Sequence, residues 1–187
     1  MTITDDDRHL TNQSLIERNL PRFSELTHDE IIEHNLAVVA EHFHNENPDN
    51  VDKAIALYGP EISWEGPNRG QILTDPAKVK DAYMGIYRTL AFHDTTYLRR
   101  WATEDFVFDD QIAHLTVVGD EMENLPFGKG TELSLRLVHC FEMKDGLIAS
   151  EIAYEMWREK DGVLDHDVIP KGCATERFAE PNSTDHA

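Results

Sequence analysis

The chain has 187 residues, 40% of them apolar, which is enough for one sizeable core and leaves little for a second domain. Asp plus Glu number 36 against 17 Lys plus Arg, a net charge of -19, so nucleic-acid backbones and anionic membrane surfaces are repelled and neither is expected as a partner. No stretch is long and apolar enough to span a bilayer, and the N-terminus, "MTITDDDRHL", lacks the order of a signal peptide. Two cysteines, Cys140 and Cys173, are too few to staple a domain of this length, and Cys140 reads as a buried thiol within a strand. A soluble, cytoplasmic protein is expected.

Residues 1–26 are polar and interrupted by Pro21, an extension with one short helix around Gln13 to Asn19. Thr27-His28-Asp29-Glu30 is a capping box, and Ile32, Leu36, Val39 and Phe43 recur behind it at helical spacing. A short helix is expected over Val51 to Tyr58, then a strand "EISWEGP" stopped by Gly66-Pro67. Asp75 before Pro76 is an N-cap followed by an N1 proline, and the helix it opens carries Val79, Tyr83, Ile86 and Leu90 on one stripe. From Thr95 the period changes to two. Strands are expected at about 95–108, 111–119, 131–143 and 147–157, separated by "FDD", by the loop "GDEMENLPFGKG" and by "KDG". Residues 159–187 read as a polar extension, in which Asp165-His166-Asp167 is part of a solvated tail. The domain proper is 27–158.

Helices followed by a run of antiparallel strands give an α+β order, in which a curved sheet is covered on its concave face by the helices and leaves an apolar pocket at its wide end. That order, with "ALYGPEISWEGP", "DPAKVKDAYMGIY" and "VHCFEMKDGLIASEIAY", resembles the NTF2-like (cystatin-like) superfamily, particularly its SnoaL-like polyketide cyclase and ketosteroid isomerase branch, over roughly residues 30–157. The resemblance implies a cone-shaped domain with an internal pocket. The superfamily includes isomerases, cyclases, dehydratases, epoxide hydrolases, carbon–carbon lyases and non-catalytic proteins, so the fold leaves the reaction open.

Carried over by position, the resemblance puts pocket residues at His42, Tyr58, Tyr83 and His139. Gly66 stands where ketosteroid isomerases have their proton-abstracting aspartate. Ala153 stands where SnoaL-like cyclases pair an aspartate with the histidine matched by His139, and Glu151 lies two residues away. Two hairpin registers are open. A three-residue loop Lys144-Asp145-Gly146 sets His139 opposite Glu151; a type I′ turn at Asp145-Gly146 sets it opposite Ile152 and turns Glu151 away. The family's pocket positions, Glu151 and Glu155, favour the first register, and the apolar order Ile148, Ile152, Tyr154, Met156 favours the second. Under the first, those four side chains lie on the convex face of the sheet and a homodimer is expected to cover them.

Histidine titrates near neutrality and a carboxylate beside it fixes its tautomer, so His139 with Glu151 is the expected proton-transferring pair, with His42 as a further catalytic group. Tyr58 and Tyr83 are expected to support charge on a substrate oxygen. Trp64, Phe141 and Glu155 are expected to line the pocket, with His114 as a minor candidate. No metal-ligand cluster, phosphate loop or nucleophile elbow is present in the sequence pattern, so neither metal nor cofactor is expected. The expected function is cofactor-independent acid/base chemistry on a small apolar substrate, aromatic or polyketide-like, by a cyclase, dehydratase, isomerase or lyase. A non-catalytic ligand-binding or assembly module is the alternative.

Overall fold

The structure, a computed structural model, describes Phe23, residues 26–163 and residues 167–178. The helix expected around Gln13 to Asn19 lies outside these residues, as do Asp165 and His166. Helix α1 (His28–Asn45) opens at the capping box, where the Thr27 N–H donates to Glu30 Oε2 at 2.8 Å and the Glu30 N–H to Thr27 Oγ1 at 3.4 Å. Helix α2 (Val51–Ile55) is shorter than the sequence suggests, because Tyr58 already begins strand β1 (Tyr58–Gly66). A single 3-10 turn at Pro67–Arg69 and strand β2 (Gln71–Leu73) lead to α3 (Pro76–Thr89), whose N-cap Asp75 accepts the Ala77 N–H at 3.0 Å.

The sheet then runs through β3 (Leu90–Ala102), β4 (Phe106–Val117), β5 (Glu132–Lys144), β6 (Leu147–Glu159) and β7 (Ala174–Arg177), in the order β2-β1-β6-β5-β4-β3-β7. Among the described residues only β1 and β6 pair in parallel; the other neighbours are antiparallel. This is the α+β cone that the sequence order implies. The helices cover the concave face with Val38, Val39, Val79, Tyr83 and Tyr87 packed on Leu57, Trp64, Phe141 and Ile148. A second cluster, centred on Leu90, Leu115, Leu133 and Leu135, closes the other end. Each such side chain contributes roughly 2 kcal/mol through burial. Among the described residues no helix is long and apolar enough to cross a membrane.

Two features depart from the sequence reading. The β3–β4 turn falls at Thr103–Asp105, where the Thr103 N–H donates to the Phe106 carbonyl at 2.8 Å. "FDD" is therefore inside β4, and the strands expected at 95–108 and 111–119 are displaced toward the N-terminus. The chain after 159 supplies an edge strand that its polar composition conceals: β7 pairs with β3 from Asp94↔Arg177 to Tyr97↔Ala174. Asp167, in the same segment, accepts from Arg136 at 2.5 Å and also from Arg158, tying the tail to the convex face.

Candidate functional site

The β5–β6 hairpin decides which side chains reach the concave face. Asp145 and Gly146 have φ of 53° and 79°, a two-residue turn that pairs Lys144 with Leu147 and Met143 with Ile148. Continued unchanged, this register would set Ile152 opposite His139. Instead a bulge at Ala149 moves the partners by one, so Glu142 meets Ser150, Phe141 meets Glu151 and His139 meets Ala153. Neither sequence register is therefore the observed one. The turn is the two-residue type, yet the bulge returns Glu151 and Glu155 to the concave face, as the family positions require. Ile148 is on that face too and is fully buried, so it leaves the expected convex patch; Tyr154 and Met156 are 45% and 46% exposed there.

His139 is buried between two carboxylates supplied by its neighbouring strands. On β4, Asp109 sits directly opposite, with Oδ1 3.7 Å from His139 Nδ1. Asp109 is fixed in turn from β3, where the Arg100 Nε–H donates to Oδ2 at 2.7 Å. On β6, Glu151 Oε1 lies 3.9 Å from His139 Nε2. Phe43 meets the imidazole edge-on at 5.0 Å and Phe141 stacks on it at 5.9 Å. Burial alone would depress the His139 pKa, but Asp109 and Glu151 outweigh it and raise the value. Burial likewise opposes ionisation of Asp109, and Arg100 with His139 overcomes it, so its carboxyl titrates below the ordinary range.

Glu151 is held from behind. Its Oε2 accepts the hydroxyls of Tyr58 and, at 3.1 Å, Tyr83, and lies 3.4 Å from His42 Nε2. His42 is fully buried one helical turn before Glu46, whose Oε1 is 2.8 Å from the same nitrogen, while His42 Nδ1 donates to the Ala54 carbonyl at 3.3 Å. Both ring nitrogens therefore face acceptors. Desolvation disfavours the imidazolium, yet Glu46 and Glu151 prevail and push the pKa up to about 10. Glu151, despite its burial, is held below the ordinary carboxyl value by His42, His139 and Tyr58. Burial raises both Tyr58 and Tyr83 well above the phenolic value, and the adjacent Glu151 adds to it. At neutral pH His42 is therefore an imidazolium, set among the ionised carboxylates of Asp109 and Glu151 and the neutral phenols of Tyr58 and Tyr83.

The network lines a cavity of about 110 Å³. Of the sequence candidates, His139, Glu151, Trp64, Tyr83 and Glu155 are on its wall. His42, Tyr58 and Phe141 are packed behind it, where they contact the wall residues. His114 is not brought in: it lies on the convex side, with Nδ1 2.7 Å from Asp94 Oδ1. Sequence reasoning missed Asp109, Arg100, Glu46 and Arg69. The spacing of His42 and Glu46, four apart on one helix face, was a usable signal. His42 Nε2, Glu46 Oε1 and Glu151 Oε2 also lie within 4.8 Å of one another, a spacing a divalent ion could bridge; each of these atoms already contacts another member of the network.

The SnoaL-like domain is matched over residues 39–151, which spans every residue of this network. No functionally curated protein matches the sequence. Among solved structures, a candidate polyketide cyclase from Silicibacter sp. tm1040 superposes with a TM-score of 0.57 at 15% identity, covering 67% of this chain and 90% of that one. An NTF2-like protein from Burkholderia xenovorans LB400 gives 0.55 at 12% identity, over 67% and 91%. An LEH-like epoxide hydrolase from M. tuberculosis gives 0.51 at 14% identity, over 67% and 84%. At such identities these likenesses carry the fold and not a reaction. The chain belongs to the SnoaL-like domain family.

Proposed function

We propose that this SnoaL-like chain is a cofactor-independent enzyme that moves a proton on a small, neutral, mostly apolar substrate bearing a carbonyl, hydroxyl or phenol oxygen. One observation carries the reading. His139 Nε2 and Glu151 Oε1 face each other across 3.9 Å on the cavity wall, while His139 Nδ1 faces Asp109 at 3.7 Å and Glu151 Oε2 is tied back to Tyr58, Tyr83 and His42. That gap is too long for a direct hydrogen bond and leaves both groups available to a third atom. Protonated His139 is the donor to the substrate oxygen, and ionised Glu151 is the acceptor of the proton leaving carbon. His42, Tyr58 and Tyr83 act through Glu151 as positioning residues, a different role from direct support of a substrate oxyanion.

The charges on the wall and directly behind it are balanced: Glu46, Asp109, Glu151 and Glu155 are matched by His42, His139, Arg69 and Arg100. A neutral ligand suits such a site better than an anion, whose entry the chain's overall acidity also opposes. Cyclisation, dehydration, isomerisation and retro-aldol cleavage all use such a donor and acceptor, so the reading extends to a lyase or isomerase that acts in the cytoplasm as a homodimer. The test is a thermal-shift screen of neutral carbonyl and phenolic compounds, followed by mass spectrometry of each stabilising compound for turnover. His139→Gln should retain the shift and lose turnover. Stabilisation without turnover by the wild type throughout the panel would instead support a ligand-storage module.

A further inference from the structure

Beyond the inner cavity, a second cavity of about 130 Å³ lies under the loop that joins β4 to β5, against Asn68, Glu123, Asn124 and Leu125. The two cavities have four wall residues in common: Arg69, Met122, Glu155 and Trp157. They are therefore chambers on either side of one partition. Its polar half is a buried ion pair, in which the Arg69 guanidinium donates to Glu155 Oε1 at 2.7 Å with both side chains no more than 6% exposed. The pair is braced: Trp157 Nε1–H donates to Glu155 Oε2 at 3.2 Å, Arg69 lies 4.8 Å over the Trp64 ring, and Asn124 Nδ2 donates to the Arg69 carbonyl at 3.3 Å. Arg69 Nε is nevertheless buried without a hydrogen-bond partner.

We infer that the second chamber is a subsite of the same site, and that the substrate is a neutral two-part molecule: one ring-sized group beside His139 and Glu151, a second under the β4–β5 loop, and a short linker passing the Arg69–Glu155 pair. This rests on the proposed function for the inner chamber and adds the substrate's shape. Size sets the division. A cavity of ~150 Å³ is known to hold one benzene, so chambers of about 110 and 130 Å³ have no room for two rings, and each takes one small ring only with a slight widening of its wall. Charge sets the neutrality. Arg69 is already matched by Glu155, and Glu123 adds an uncompensated carboxylate to the outer chamber, so an anionic second group is disfavoured.

The test is binding, read by calorimetry, with single-ring ketones such as acetophenone against two-ring compounds such as benzoin and 1,2-diphenylethanol. The two-ring compounds should bind at least ten-fold more tightly. Leu125→Trp, which fills the outer chamber, should bring them down to the single-ring affinity while acetophenone is unchanged. Glu123→Trp, at an exposed loop position, should act alike if Leu125→Trp does not fold, and unchanged acetophenone binding certifies the fold of either variant. Equal affinity for one-ring and two-ring compounds, or a two-ring advantage that survives both variants, overturns the subsite while leaving the inner chamber's chemistry standing. Failure of both classes to bind overturns both proposals. A two-ring carboxylate that binds more tightly than its neutral counterpart overturns the neutral assignment.

Discussion

Raising the pH should destabilise this protein well before any ordinary tyrosine or lysine titrates. His42 is fully buried, and Glu46 and Glu151 hold its imidazolium up to about 10 against an ordinary value of 6.5. The folded state therefore keeps a proton that the unfolded chain has already released. Stability from this proton is fully present below pH 6.5 and declines as pH rises toward 10, at up to about 1.4 kcal/mol per pH unit, or roughly 5 kcal/mol across the window. His139, raised by Asp109 and Glu151, adds a loss of the same sign. Urea unfolding followed by tryptophan fluorescence at pH 6, 7, 8, 9 and 10 measures this directly. Glu46→Gln, which keeps the side-chain shape and removes one carboxylate, should shift the decline to lower pH and make the total loss smaller. A wild-type stability that is flat from pH 7 to 9.5, or a Glu46→Gln profile that overlays the wild type, would refute the assignment of His42 as an imidazolium.

Arg100→Gln should reduce kcat far more than it changes KM, because it releases Asp109 behind His139; the buried carboxylate left without its guanidinium should cost about 3 kcal/mol in urea unfolding. Gly119→Ala should lower stability by about 2 kcal/mol or more in the same assay, since its Cβ would lie 2.2 Å from the Arg88 carbonyl oxygen, a backbone atom that has nowhere to move. Sedimentation at micromolar concentration should show a dimer formed through the convex face, where Trp101, Tyr154 and Met156 are exposed, and Tyr154→Arg should give a monomer.

The elements that local chemistry dictates were legible: the Thr27 capping box, the Asp75-Pro76 helix start and the Gly66-Pro67 stop all appear where their residues place them, whereas the Asp145-Gly146 turn was one of two open readings of its hairpin. The bulge at Ala149 was not legible, because a bulge is fixed by what the two strands must bury and not by any residue at the bulge itself. Its consequence was anticipated only through the family positions of Glu151 and Glu155. Asp109 was lost to a plausible turn signal. "FDD" has turn composition, but Arg100 and His139 on the flanking strands neutralise Asp109, and Arg99 and Arg136 pair with Asp110 at 2.5 Å, so a tertiary charge network overrides the local preference. β7 is exposed because an edge strand can be held by backbone pairing and polar side-chain bonds, here Thr96 with Thr175 at 2.7 Å and the Tyr97 hydroxyl to Glu176 at 3.1 Å, without an alternating apolar face. His42 was placed at the pocket by likeness, while its burial behind Glu151 depends on contacts from three separate elements.

Proton transfer at carbon by the His139–Glu151 pair is tested most directly by deuterium uptake. Ketones that stabilise the protein would be incubated in D₂O and followed by NMR at the carbon next to the carbonyl. The wild type should exchange that hydrogen at least about a hundred-fold faster than buffer, and His139→Gln and Glu151→Gln should each bind the same ketone and exchange it at the buffer rate. Exchange at the wild-type rate in either folded variant would contradict the account.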